Sequence, residues 1–363
     1  MDAGHPGTRR DVTNVSHPVP AGGHLHRGSI PPLRSVDREL GRNRMAGERE
    51  SSGCALVTGG AGFIGGHIVE RLVADGWQVR VLDDFSSGRE ANLRAVEGRF
   101  ELFRGDLADE AMLDRAMPGA DVVFHEGAIA SVPQSVDDPI RTHNVNLTGT
   151  LRVLEAARRH GVGRVVFAAS SAAYGNDETL PKREEQKPDL LSPYAAQKYG
   201  SEIYLKLFHE LYGLETVALR YFNVYGPRQD PKSDYAAVIP LFISAALRGD
   251  SLRVYGDGEQ TRDFVFIEDV VQANLAAATA PGAAGGVFNV ASGCRTSVID
   301  LVRAIERGIG HEIHVEYEGE RAGDVKHSWA DIEATRDVLG YEPGVGLEAG
   351  LERTIEHFRD ERS

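Results

Sequence analysis

Residues 54–65 read CALVTGGAGFIG, an apolar run of strand length that leads straight into glycines at 59, 62 and 65 and the start of an amphipathic stretch. Each glycine removes a Cβ where backbone has to come close: to turn, to let an anion reach the main chain, and to seat a helix on a strand. The first N–H groups of that helix have no intrahelical partner and offer positive partial charge to a phosphate. The setting makes the motif constraining. QVRVLD (78–83), DVVFH (121–125), VGRVVFAA (162–169) and TVALR (216–220) read as further buried strands, with residues 65–75, 144–161 and 192–213 as helices between them. Parallel neighbours need a crossover, and it is almost always a helix. The alternation therefore predicts an α/β chain on a doubly wound parallel sheet.

After about residue 223 the rhythm changes. A glycine-rich turn (YGDG, 255–258), a helix-like segment at 297–308 and an acidic, charged tail predict a smaller lobe interwoven with the first, while VFNV (287–290) returns to the large sheet. The expected division is 53–223 with about 264–292 for the dinucleotide-binding domain, and about 224–263 with 293–360 for the second lobe. Residues 1–52, rich in Gly, Pro, His and Arg without an apolar period, read as a disordered extension, with Met45 as an alternative start.

Composition removes several function classes. A formal net charge of −14 and a pI near 5.4 oppose nucleic acid and anionic membrane surfaces, and no basic patch offsets them. No apolar run approaches the ~20 residues of a membrane span, and the N-terminus lacks a signal-peptide core. Cys54 and Cys294 form no Cys-x-x-Cys, which fits a reducing, cytoplasmic setting. HEGAI (125–129) places Ile129 where a zinc-binding His-Glu-x-x-His needs its second histidine, so no metal is expected.

Two groups of residues carry chemistry. Asp83 ends the second strand, where a carboxylate can accept both hydroxyls of an adenosine ribose; Asp84 adds charge that repels a 2′-phosphate and favours NAD over NADP, with Arg89 nearby as the counter-indication. Asp106, in RGDL, follows the third strand and can hold the adenine edge. In SPYAAQK, Ser192 is a candidate N-cap and Pro193 the first helical residue, so Tyr194 and Lys198 lie one turn apart on one face. A cation there lowers the phenol pKa toward that of a usable general base. Ser170, at the end of a strand, supplies a hydroxyl that can share the proton. Tyrosine, lysine and serine behind a dinucleotide loop describe alcohol oxidation by hydride transfer.

The set TGGAGFIG, GDL, SSAAYG (170–175), SPYAAQK, RYFNVYGPRQDP, GDGEQTRDFVFIEDV and RAGDVKHSWAD resembles the extended short-chain dehydrogenase/reductase family, and within it the nucleotide-sugar 4-epimerases, over about residues 54–358. The resemblance implies a Rossmann-type fold and tightly held NAD that takes hydride from C4 of a UDP-sugar and returns it to the other face. It places Gly59, Gly62, Phe63, Ile64 and Gly65 on the cofactor, together with Asp106, Leu107 and Asn146, the last near the cofactor phosphates. Tyr221 and Phe222 are implied at the nicotinamide side. Asn223 is implied at the substrate diphosphate with Arg262 and Arg321, whose guanidinium forks match phosphate oxygens. Asp324 resembles a ribose-binding acid, Tyr255 a uracil neighbour, and Ser171 stands beside Ser170 at the sugar. A homodimer built on helices near 144–161 and 192–213 is also implied. Glu126 departs from the pattern, since relatives usually read His-Leu-Ala-Ala where this chain has His-Glu-Gly-Ala.

Dehydratases and decarboxylases of this fold carry an acid two positions after the catalytic Ser or Thr; Ala172 stands there, which favours plain epimerisation. UDP-glucuronate 4-epimerases tend to carry hydroxyls at the positions of Ala172 and Asn223. A non-catalytic dinucleotide-sensing protein remains the reading from another class, opposed by the retained Tyr194, Lys198 and Ser170. In relatives the residue at Ser328 walls the pocket beside the sugar C2 substituent, and a small serine leaves room for an acetamido group. UDP-N-acetylglucosamine and UDP-N-acetylgalactosamine are therefore the expected pair, with UDP-glucose and UDP-galactose as further substrates.

Overall fold

The computed structural model describes residues 53–231, 237–319 and 325–362. The expectations for residues 1–52 and for Arg321 and Asp324 lie outside them. Seven parallel strands form the central sheet: β1 (Cys54–Thr58), β2 (Gln78–Asp83), β3 (Glu101–Arg104), β4 (Val122–His125), β5 (Arg164–Ser170), β6 (Glu215–Tyr221) and β7 (Val287–Val290). Their order is β7-β6-β5-β4-β1-β2-β3, so the chain starts in the middle, winds to one edge and returns through β4 to build the other half. Between β1 and β4 the winding reverses. Neighbouring connections diverge there and open a crevice over the carboxyl ends of the strands.

Both faces of the sheet are covered, which is why its inner strands read as unbroken apolar runs. Alternate residues serve opposite cores: Val57, Phe124 and Val166 face one cluster, Leu56, Val123 and Val165 the other. Helix α1 (Phe63–Ala74) buries Ile68, Val69 and Leu72 in the first cluster. Helices α2 (Thr150–His160) and α3 (Pro193–Tyr212) cover the second through Val153, Leu154, Leu205 and Phe208. The stretch expected as one helix over 144–161 differs from that expectation. Asn144–Gly149 forms a wider π-helical turn before α2, in which the Asn146 carbonyl accepts the Thr150 hydroxyl at 2.6 Å and the Ser201 hydroxyl at 3.2 Å.

The later chain adds α4 (Val238–Arg248), α5 (Ile267–Thr279), α6 (Val298–Ile309) and α7 (Leu347–Asp360). Helix α5 packs beside α1 under the sheet. The others surround short pairs: Asn223–Tyr225 with Phe264–Phe266, Leu252–Tyr255 with Val315–Glu318, and Thr261–Arg262 with Thr296–Ser297. One apolar cluster runs without a break from Val57 and Val81 to Ile243, Leu252, Val298 and Ile355, so the smaller lobe shares its core with the sheet. The first of those short pairs lies along the expected 223/264 boundary and ties the two parts together. Among the described residues no helix is long and apolar enough to cross a membrane, and no cluster of three metal-binding side chains occurs.

Candidate active site

The crevice over the strand ends is a cleft of about 1630 Å³. Pockets for drug-sized ligands run to roughly 300–1,000 Å³, so this cleft exceeds the size that one such ligand needs. At one end lies the glycine turn. Gly59 has φ +64°, and a Cβ there would stand 2.7 Å from Gly127 Cα; a Cβ on Gly65 would stand 2.2 Å from the Gly59 carbonyl oxygen. The turn is thus a cradle that only glycine can build. Gly62 precedes α1 as its N-cap, and Phe63 and Ile64 open the helix against the cleft.

Asp83 is buried, and its carboxylate accepts the backbone N–H groups of Ala61 at 2.9 Å and Phe85 at 2.8 Å, which fixes the turn relative to β2. Burial nevertheless pushes its pKa up. Asp84 is exposed at the rim, accepting from the Ser86 N–H and hydroxyl. Arg89, the residue that could have favoured a 2′-phosphate, is engaged by Asp230. Asp106 caps the Ala108 N–H at 2.8 Å, and the Leu107 side chain fills the space over Gly127 and Gly149. A glycine turn at a helix start, followed by two acids and an arginine already paired with Asp230, fits the adenosine half of NAD.

Helix α3 begins as its sequence predicts. The Ser192 hydroxyl accepts the Ala195 N–H at 3.2 Å and Pro193 takes the first position. Lys198 then donates from Nζ to the Ala168 carbonyl at 2.7 Å, over the Phe167 ring, and so staples α3 to β5, the strand that ends at Ser170. The Ser170 hydroxyl and the Tyr194 phenol line the same wall of the cleft. The expected lowering of the Tyr194 pKa is not what the protein alone produces: burial pushes it up, with Ser170 opposing. Burial also lowers the Lys198 pKa to about 8, against the opposing fields of Glu126 and Glu202.

A chain of hydrogen bonds aims this wall. The Gly127 N–H donates to the Thr58 hydroxyl, which bonds His125 Nδ1 at 2.7 Å. His125 Nε2 bonds the Thr150 hydroxyl, which itself donates to the Asn146 carbonyl. Burial drives the His125 pKa down to about 3, which keeps it neutral. Asn146 lies within this frame rather than on the cleft wall. Its amide accepts from the Ile129 N–H and donates to the Ile129 carbonyl and to Gln197, so the side chain sets the 127–130 loop. Sequence reasoning missed Gln197 and also Ser135, whose hydroxyl accepts the Tyr194 N–H at 3.0 Å. The proline-led turn that carries Ser135 was the available signal.

At the far end Phe222, Asn223, Tyr255 and Arg262 line the cleft beside α4. Asn223 donates from its amide to the Asp263 carbonyl at 3.0 Å, which fixes it at the joint between sheet and smaller lobe. Ser171 and Ser328 do not line the cleft. Ser171 starts the short turn after β5, and Ser328 donates its N–H to the Thr261 carbonyl, beside the strand that carries Arg262. Glu126 does line it, at the end of β4 next to Tyr194, Lys198 and Tyr221.

Residues 55–291 match the NAD dependent epimerase/dehydratase family. The UDP-glucose 4-epimerase of Mycolicibacterium smegmatis is 42% identical over 84% of this chain and 98% of its own. Among solved structures, a UDP-N-acetylglucosamine 4-epimerase from Methanobrevibacter ruminantium, in complex with UDP-N-acetylmuramic acid, superposes with a TM-score of 0.82 at 43% identity, over 85% of this chain and 99% of that one. The UDP-glucose 4-epimerase of Thermotoga maritima, with UDP-glucose, also gives 0.82, at 39% identity over 85% of this chain and all (100%) of that one. The parallel sheet agrees with these likenesses, and the chain belongs to the NAD dependent epimerase/dehydratase family as an NAD-dependent enzyme.

Proposed function

We propose that the protein inverts C4 of a UDP-hexose, with the UDP-N-acetylglucosamine and UDP-N-acetylgalactosamine pair as its main substrates and the glucose and galactose forms as weaker ones. The observation that carries this is the meeting of Tyr194 and Ser170 on one wall of a cleft whose two ends suit two nucleotides. Bound NAD⁺ supplies reversible hydride acceptance at the sugar carbon. Tyr194, with Ser170 sharing its proton, takes the 4-hydroxyl proton and later returns it, so no net oxidation occurs. Lys198 provides positive charge to the phenolate, and Asn223 and Arg262, with Arg321, take the substrate diphosphate.

Overall similarity does not choose the sugar, because the Methanobrevibacter and Thermotoga proteins match almost equally well. The choice rests on the sequence resemblance, which implies the small Ser328 beside the sugar C2 substituent; Ser328 stands next to the Arg262 strand, just outside the residues that line the cleft. A UDP-glucuronate reading is disfavoured by Ala172 and Asn223, neither of which offers a hydroxyl to a carboxylate. Purified enzyme assayed against UDP-N-acetylglucosamine, UDP-glucose and UDP-glucuronate tests the reading; turnover of the glucuronate alone overturns it. Ser328→Tyr should cut kcat/KM for the acetamido sugar at least ~10-fold, about 1.4 kcal/mol, while sparing UDP-glucose. An equal fall for both sugars removes Ser328 as the gate.

A further inference from the structure

We propose that Glu126 is a positioning residue of the catalytic centre: its carboxylate, anchored by the Tyr221 hydroxyl on the cleft wall, holds Lys198 in its ammonium form beside Tyr194. The inference rests on the roles given to Tyr194 and Lys198 above.

The register of the sheet brings the two groups together. His125 on β4 pairs with Phe167 on β5. One residue further along each strand stand Glu126 and Ala168, and the Ala168 carbonyl is the one that receives Lys198 Nζ at 2.7 Å. The carboxylate is fixed from the other side. Tyr221 donates to Glu126 Oε1 at 3.0 Å while accepting from the Asn274 amide at 2.7 Å, and Asn274 is itself tied to the Val270 carbonyl of α5. Tyr221 stays a neutral donor, since burial and the Glu126 charge push its pKa well up. A relay from α5 through β6 therefore ends on a carboxylate at the cleft wall.

Two acids act on Lys198, and they are not equivalent. Glu202 is held by Arg220 through contacts of 3.0 and 2.8 Å with both side chains buried, so its charge is already matched. Glu126 accepts from a phenol and lines the same cleft wall as Lys198, whose positive charge acts on it, with no guanidinium among the groups that shift it. The remaining groups around it are uncharged at neutral pH: His125 on its own strand, with a pKa near 3, and Tyr194 on α3, whose phenol pKa burial raises. Burial raises the Glu126 pKa to about 7, and that of Lys198 falls to about 8. The two groups therefore titrate close to one another near neutral pH, each favouring the charged form of the other. Below about 7 the carboxylate gains its proton and Lys198 loses its counter-charge; above about 8 the ammonium itself is lost.

Glu126→Gln keeps the acceptor for Tyr221 and removes only the charge. Six lysines (182, 187, 198, 206, 232 and 326) make ε-¹³C-lysine NMR readable, with Lys198→Met assigning the signal. In the NAD holoenzyme the Lys198 midpoint is expected to fall by on the order of one pH unit in Glu126→Gln, with the other lysines unmoved, as for loss of a nearby opposite charge. The basic limb of the kcat profile should fall by the same amount, with KM changed less than twofold. An unmoved Lys198 midpoint overturns the proposal whatever the substrate. A shifted midpoint in a protein that fails to interconvert the acetamido sugars upholds it and refutes the substrate assignment instead.

Discussion

As the proposed base, Tyr194 has to release a proton in a place that, in the protein alone, makes it hold that proton more tightly. Burial raises its pKa against the opposing effect of Ser170, and an oxidised nicotinamide, when bound, adds a positive field that lowers it. The resting site is therefore a weak base. Tyr194→Phe keeps the packing and deletes the acid–base group, so kcat should fall at least ~100-fold with cofactor content nearly unchanged. A variant within a few-fold of wild type refutes the role. Glu126 makes a second prediction at this scale. Its folded pKa of about 7 lies above its ordinary value of 4.5, so the stability it contributes is full below 4.5 and is lost as pH rises through 7. Glu126→Gln removes that loss. Relative to wild type it should gain on the order of 1–3 kcal/mol between pH 5.5 and 8.5, read from urea unfolding at both values. A constant difference between them counts against an ionised Glu126.

Helix α3 carries two jobs on two faces. Its inner face holds Tyr194 and Lys198 and packs Leu205 and Phe208 into the core. Its outer face shows Ile203, Leu207 and Leu211 at 48%, 39% and 66% exposure, a stripe at intervals of four residues, with Val136 and Ile140 exposed on the short helices Val132–Asp137 and Pro139–His143. A stripe of this kind on the helix implied in subunit contact by the sequence resemblance leads us to expect an isologous homodimer. Leu207→Glu with Leu211→Glu should give a monomer by light scattering with helical circular dichroism retained. A wild-type monomer at micromolar concentration contradicts the expectation. If it is met, the contact surface is the reverse side of the catalytic helix, and loss of the dimer should lower activity through the setting of Tyr194.

On the scale of the molecule, the shared cluster from Val57 to Ile355 decides behaviour that the topology alone would leave open. The sheet and the smaller lobe meet through Asn223–Tyr225 and Phe264–Phe266, and α7 closes over Tyr225 and Phe266 so tightly that a Cβ on Gly350 would stand 2.2 Å from the Tyr225 hydroxyl oxygen. Such a core should unfold as a unit. Calorimetry should show one transition that moves up with added UDP, and a fragment ending at residue 292 should be unfolded because it strips Val298, Leu301 and Ile355 from the cluster. Two separated transitions, or a folded fragment, would show independent domains.

Strand β1, its glycine turn, the β2 aspartate and the start of α3 were legible because each is a local device: a period of two, a missing Cβ, an N-cap, a proline. Helix α4 was not, since VIPLFISAALR is apolar nearly throughout and shows no face until it is packed. The sequence by itself determined the parallel α/β order, the NAD turn and the Tyr194, Lys198 and Ser170 set, because those follow from spacing along the chain. Only the tertiary structure decided that Asn146 braces a loop, that Arg89 is spoken for by Asp230, and that Glu126 lies against the Tyr221 hydroxyl on the wall that carries Lys198. Those outcomes depend on which strands become neighbours and in what register, and a carboxylate's effect is set by the groups within a few ångströms of it, which are distant in the chain.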